Sequence, residues 1–174
     1  MNKVKLRAPE LTDLDLLYAW ENDKEIWKVS NTITPFSKYL LQKYIENSHF
    51  DIYQTKQLRL MIDIESAMDQ QAKTIGTIDL FDFDPYHLRA GLGILIGDYK
   101  ERGKNYASLA LDEIIHYAFF TLGLHQLYCN IAIDNNASIA LFKNHGFVIC
   151  GEKKHWLKTS DGYKDEFLMQ LINM

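Results

Sequence analysis

The stretch from Ile94 to Ala107 constrains this chain more than any other. An apolar run, Ile94-Leu95-Ile96, passes through Gly97-Asp98 into Arg102-Gly103-Lys104-Asn105-Tyr106-Ala107, and a long helical pattern starts at once. A strand, a loop and a helix start therefore follow one another. At such a junction successive backbone N–H groups lack partners and the helix dipole adds positive potential, which together form a cradle for a pyrophosphate. Gly103 and Asn105 equally suit a plain turn before a helix, because both tolerate positive φ and cap helices well. The loop carries neither the G-x-G-x-x-G of a dinucleotide fold nor the G-x-x-x-x-G-K-[ST] of a P-loop.

The elements around this junction alternate, without repeats or linkers. Val4 to Arg7 reads as a strand, and Thr12-Asp13-Leu14-Asp15 as a capping box opening a helix with Leu14, Leu17 and Tyr18 on one stripe. Ser37 opens a second helix carrying Leu40, Leu41, Tyr44 and Ile45, and Ile26 to Thr34 between them reads as loop. Leu58 to Ile64, Thr74 to Phe83 and Arg89 to Ile96 suggest an antiparallel meander, with a polar turn over Ser66 to Lys73 and a reversal at Asp84-Pro85-Tyr86-His87. Tyr106 to Leu122 is apolar almost all round, which predicts a buried helix ended by Gly123. Gln126 to Ile133 is a strand, Asn135 to His145 a helix stopped by Gly146, and Phe147 to Cys150 with Phe167 to Leu171 a closing hairpin around Ser160-Asp161-Gly162. The fold class expected is mixed α/β.

At 174 residues the chain suits a single domain spanning 1–174 with a sizeable core. A net charge of −4 and no dense Lys/Arg run argue against nucleic acid or a membrane surface as partner, and favour a cationic substrate. No segment suits a signal peptide or a membrane span, so a cytoplasmic location is expected. Cys129 and Cys150 lack C-x-x-C spacing and read as reduced core residues. The six histidines stand singly, without metal-ligand spacing, so no metal is expected.

A second stretch, Asn135-Asn136-Ala137-Ser138-Ile139-Ala140-Leu141-Phe142-Lys143-Asn144-His145-Gly146-Phe147, follows the strand that ends at Ile133. Together with Arg102 to Ala107 it resembles the GNAT N-acetyltransferase superfamily, whose acetyl-CoA loop reads [QR]-x-x-G-x-[GA] and whose later segment reads N-x-x-[AS]-I-x-L-Y-x-K-x-G-F. The run Asp79-Leu80-Phe81-Asp82-Phe83-Asp84 and the ending Asp161-Gly162-Tyr163-Lys164-Asp165 are most similar to the branch of ribosomal-protein N-terminal acetyltransferases and spermidine or diamine N-acetyltransferases. The resemblance implies a GNAT-like α/β (α+β) fold: a mixed, mainly antiparallel twisted sheet flanked by helices and splayed near Ile94 to Ile96 and Tyr128 to Ile133. It implies acetyl transfer from acetyl-CoA to a primary amine, in a polyamine, a peptide N-terminus or another small amine, by direct attack in a ternary complex. A homodimer fits the exposed strand edges of such a fold.

Carried over by position, Ile94, Leu95 and Ile96 offer backbone pairing to the pantetheine arm. Arg102, Gly103, Lys104, Asn105, Tyr106 and Ala107 direct amides at the pyrophosphate, and Asn135, Ser138 and Phe142 line the thiol end. This chain departs from the family at two of these positions. Asn105 replaces the loop glycine, while Phe142 stands where many members carry a tyrosine that protonates the thiolate, and phenylalanine has no proton to give. Holding amine and thioester together supplies about 7–11 kcal/mol, against about 3–5 kcal/mol for general acid help, so transfer survives that loss. A degenerate module that binds CoA as a sensor is the alternative reading, and a site for a different pyrophosphate nucleotide a further one.

On the acceptor side, deprotonating an amine with a pKa of about 10.4 at neutral pH costs roughly 4–5 kcal/mol. Asp79, mid-strand beside the element expected to hold the thioester, is the candidate to bind the cation or relay its proton; it equally fits a solvated strand residue. Gly91, where relatives often carry glutamate, shares a strand face with Gly93, marking either a bulge or room for a bulky acceptor. Trp27 is a candidate wall for the amine, whereas Glu152, His155 and Glu166 near the closing hairpin have no geometric warrant from sequence.

Overall fold

The structure, a computed structural model, describes residues 3–30, 32–65 and 72–174. The polar turn expected over Ser66 to Lys73 lies, up to residue 71, outside the described residues. Seven strands, β1 (Val4–Arg7), β2 (Leu58–Ile64), β3 (Lys73–Asp84), β4 (Arg89–Ile96), β5 (Gln126–Ala132), β6 (Val148–Thr159) and β7 (Gly162–Ile172), form one sheet in the order β1-β2-β3-β4-β5-β7-β6. Every neighbouring pair is antiparallel except β4 and β5, which are joined by a helical crossover, as parallel neighbours must be. Only Arg89–Gln126, Ala90–Leu127 and Gly91–Tyr128 hold that parallel pair together. Beyond Gly91 the two strands part, and the sheet has a fork where a splay is expected.

The helices α1 (Leu14–Glu21), α2 (Lys24–Trp27), α3 (Lys38–Glu46), α4 (Ile52–Thr55), α5 (Tyr106–His116) and α6 (Asn136–Asn144) flank the sheet. Strand alternation sorts side chains onto two faces. Ile62, Ile78, Leu80, Ala90, Leu92, Leu127 and Met169 join Ala110, Leu111 and Ile114 of α5 in one core. Met61 and Leu95 pack on the opposite face with Leu17 and Trp20 of α1 and Leu41 and Ile45 of α3. Each fully buried aliphatic side chain contributes about 1.5–3 kcal/mol, so both helical layers are firmly attached and the fork between them is a gap in a rigid frame.

Several local details differ from the sequence expectations. Residues expected as loop from Ile26 onward include the end of α2, whose Ile26 is buried and whose first turn is capped by Asp23, accepting from the Glu25 amide at 2.8 Å. One turn is too short to show helical periodicity. Thr12 does not open α1: a 3-10 turn at Leu11–Asp13 precedes it, and the Asp13 carboxylate accepts the Glu10 amide at 2.8 Å. Asp13 also takes Arg7 Nη1 at 2.7 Å, while Arg7 Nε reaches Asp63 at 2.6 Å, tying β1 to β2. The long helix from Tyr106 widens into a π-helical turn at Tyr117–Thr121 before Gly123 ends it at φ +65°.

Gly91 gives no room to an acceptor, whereas a Cβ on Gly93 would meet only Phe81 Cε1, at an ordinary 3.7 Å. A Cβ on Gly91 would lie 2.2 Å from Cε2 of Phe81, whose ring covers the strand there. The bulge lies across the ladder, in β3, where Asp82 takes φ +49° and the register shifts between Phe81 and Asp84.

Candidate active site

β4 is paired along one edge only where the fork opens: Ile94, Leu95 and Ile96 face Ile78, Thr77 and Gly76 of β3, and among the described residues no strand lies on their other side. Backbone groups along that edge require a partner. After Ile96 the chain turns at Asp98, whose amide donates to Ile75 O at 3.0 Å and whose carboxylate accepts the Lys100 amide at 2.9 Å. A 3-10 turn at Tyr99–Glu101 leads into Arg102, in extended conformation, then Gly103 at φ +75° and Asn105 at φ +69°. Asparagine adopts this left-handed geometry more readily than other non-glycine residues, which explains how Asn105 serves in place of a glycine.

The amides of Gly103, Lys104, Asn105, Tyr106, Ala107 and Ser108 have no intramolecular acceptor among the described residues, and Leu109, donating to Asn105 O at 3.2 Å, is the first amide of α5 to be paired. They form a continuous run of donors at the positive end of an eleven-residue helix, the geometry that binds phosphate oxygens. Two corrections to the expected cradle follow. The Arg102 amide donates within its own turn, to Tyr99 O at 3.4 Å, and Ser108 extends the run by one residue in the other direction.

The Arg102 side chain lies 4.0 Å from the Tyr99 ring centroid and donates from Nε to Ile96 O at 2.8 Å, so one carbonyl expected for pantetheine is engaged. Lys104 pairs with Glu101 at 2.9 Å with about half its side chain in solvent. Exposed pairs of this kind are worth about 0–1 kcal/mol, so a phosphate recruits such a lysine at little cost.

The α6 residues are placed differently from what was expected. Asn135 is the N-cap of α6, with Oδ1 accepting the Ser138 amide at 3.2 Å. Phe142 is buried in the core, edge-on to Phe147 with centroids 5.0 Å apart, because a ring without a hydroxyl is more stable there than in a wet channel. Ser138, half-buried in the first turn of α6, is left as the residue of the three with its side chain uncommitted to cap or core. His145 caps the end of α6: Nδ1 lies 2.8 Å from Leu141 O and Nε2 3.1 Å from Ser108 O, fixing the end of α6 against the start of α5.

On the α1 side of the sheet Asp79 lies beside the fork, opposite Gly93 in the register. It is not a solvated strand residue. Its carboxylate takes Arg59 Nε at 2.6 Å and Nη2 at 3.4 Å, while Arg59 Nη1 holds Glu21 and Tyr44 packs over the guanidinium at 5.7 Å. Burial pushes the Tyr44 phenol up to about 12, so it stays protonated at neutral pH. Tyr128, at the apex of the fork, donates to Asp82 at 3.1 Å and is likewise pushed up to about 12, by burial first and the Asp82 charge second. Cys129, behind it in the core, rises to about 12 through burial, which removes it as a nucleophile.

Sequence reading missed Arg59, Glu21 and Tyr44; a lone arginine in the apolar strand Leu58–Ile64 was the available signal. Trp27 donates from its indole to Glu21 O at 2.6 Å. Among the described residues no three His, Cys, Asp or Glu gather as metal ligands, and no helix is long and apolar enough to cross a membrane.

A family model described as an acetyltransferase (GNAT) domain matches residues 3–148. The spermidine N(1)-acetyltransferase of Vibrio cholerae is 24% identical over 171 residues, covering 98% of this chain and 94% of that protein. A crystal structure of spermidine N-acetyltransferase from Vibrio cholerae in complex with CoA and spermine has a TM-score of 0.84 at 24% identity, covering 98% of this chain and 95% of that one. A dodecameric structure of the Vibrio cholerae enzyme has a TM-score of 0.78 at 25% identity, covering 98% of this chain and 94% of that one.

Proposed function

Because the chain belongs to the GNAT acetyltransferase family, and is thus an acyltransferase that uses acetyl-CoA, we propose that its acceptor is a primary amine of a polyamine such as spermidine. Acetyl-CoA supplies an acetyl group activated as a thioester. The amides of Gly103 to Ser108 bind the diphosphate, with Lys104 turning toward it, and the edge of Ile94 to Ile96 pairs with the pantetheine arm, Ile96 O becoming available as the Arg102 guanidinium leaves it for the phosphate. Ser138 and the Asn135 cap border its far end. The fork then presents the acyl group to the α1 side, since α5 covers the other. The unpaired amide run beside a three-pair parallel junction is the observation that carries this reading.

The half-buried Arg59 orients Asp79 beside the fork, where its carboxylate is placed to relay the proton of the attacking amine through water. Phe142 gives no proton, and an alkyl thiolate with a conjugate pKa of about 8.5 is a tolerable leaving group near neutrality. Two features support a polyamine over a peptide N-terminus: the relatives named above and the net charge of −4. We also propose that the chain assembles as a homo-oligomer, testable by light scattering.

The decisive experiment measures free thiol release with saturating acetyl-CoA across polyamines, aminoglycosides and peptides. Turnover with spermidine is expected. Acetyl-CoA binding without thiol release for any amine would make the chain a binding module instead.

A further inference from the structure

Resting on the polyamine reading, we propose that Glu166, Asn130 and Trp156 form a site for a primary alkylammonium, the end of the acceptor that does not react, and that the chain's own Lys153 stands in it as a surrogate ligand. The row Ala132–Glu166–Lys153 crosses β5, β7 and β6 in register, and Ala132 borders the fork. Alternation along β5 and β7 places Glu166 on the α1 side of the sheet with Tyr128 and Asn130. Lys153 Nζ is paired with Glu166, donates to Asn130 Oδ1 at 2.9 Å and lies 4.8 Å from the Trp156 ring centroid. A carboxylate, an amide oxygen and an aromatic face are what recognises an ammonium.

The cage is built into the strand. The β6–β7 register shifts between Lys153 and Leu157, where His155 takes φ +51° and its amide donates to the Asp165 carboxylate at 2.7 Å. Such a bulge re-aims a side chain, and here it lays Trp156, 61% exposed, over Lys153. Glu166 is 5% exposed, whereas the Lys153 side chain is 27% exposed, so the occupant faces solvent and its counter-charge does not.

The lysine ε-ammonium and the terminus of a polyamine are the same chemical group, so one can take over the contacts of the other while the displaced Lys153 Nζ moves out to solvent. Asp79 across the fork does not permit such an exchange, because Arg59 grips it through two nitrogens in a half-buried setting. The reacting nitrogen must be neutral to attack a thioester. A cage for a cation therefore serves the other end of a di- or polyamine and sets a preference over monoamines.

The test compares wild type, E166Q, K153M and the double variant, in which two neutral side chains of similar shape replace the ion pair and preserve the fold. KM is measured for spermidine and for butylamine, and spermidine binding by calorimetry in the presence of CoA. E166Q and the double variant are expected to raise the spermidine-to-butylamine KM ratio by about tenfold, and K153M to tighten spermidine binding by removing its competitor. An unchanged ratio in E166Q together with unchanged binding in K153M overturns the proposal. Spermidine binding that depends on Glu166 without acetyl transfer upholds the cage and sinks the acceptor reading; transfer to spermidine indifferent to Glu166 does the reverse.

Discussion

Replacing Ala107 by proline deletes one of the six unpaired amides at the start of α5 while sparing the helix. Ala107 is the second residue of α5, where the missing N–H breaks no intrahelical bond. The residue four back, Gly103, is not helical, so the ring meets no helical carbonyl. A hydrogen bond to a charged group contributes about 1.5–3 kcal/mol, so Ala107→Pro is expected to weaken CoA binding by about 10–150-fold. Calorimetry with CoA provides the measurement, and pantetheine, which lacks the diphosphate, provides the control. The variant is expected to keep its pantetheine affinity and its melting temperature within a few degrees. Unchanged CoA affinity in a folded variant would refute the amide cradle, and equal losses for CoA and pantetheine would locate the damage elsewhere.

Three further outcomes follow from the packing and the charges. Gly91→Ala forces a methyl group into the Phe81 ring and is expected to destabilise the fold by about 1–3 kcal/mol in urea unfolding, with the double variant carrying Phe81→Ala losing less than the sum of the single changes. Burial alone would raise the Asp13 carboxyl, but hydrogen bonds from Arg7 and the Glu10 amide outweigh it and hold the group below its ordinary value. That stability is present above the unfolded pKa of about 3.9 and is lost as pH falls through the lower folded value, so the melting-temperature gap between wild type and Asp13→Asn is expected to close as the pH falls below about 4. Asn105→Gly is expected to leave stability nearly unchanged, whereas Asn105→Ala, strained at φ +69°, is expected to cost about 1 kcal/mol by thermal melting.

The parts of the fold that local chemistry dictates were legible in the sequence. Apolar alternation marked β2, β3 and β4, Gly123 and Gly146 marked helix ends, and the small and polar residues from Gly97 to Asn105 marked the loop. Contacts set by register across the sheet were not. Nothing in the order of residues says that Phe81 lies on Gly91, that Arg59 grips Asp79, or that Glu166 faces Lys153 beside the fork. Asn135 and Phe142 illustrate a second limit. Motif position located both correctly on α6, yet the cap at Ser138 and the core around Phe147 decided where their side chains went. The four residues of α2 escaped notice because one helical turn leaves no periodic trace.

The central claim is that main-chain donors from Gly103 to Ser108 hold the diphosphate of acetyl-CoA. Titration of isotopically labelled protein with CoA, followed through backbone amide proton shifts, reads those donors one by one. The account predicts saturable downfield shifts concentrated in Gly103 to Ser108 and absent when pantetheine replaces CoA. Shifts that spare these six amides while CoA binds would contradict it.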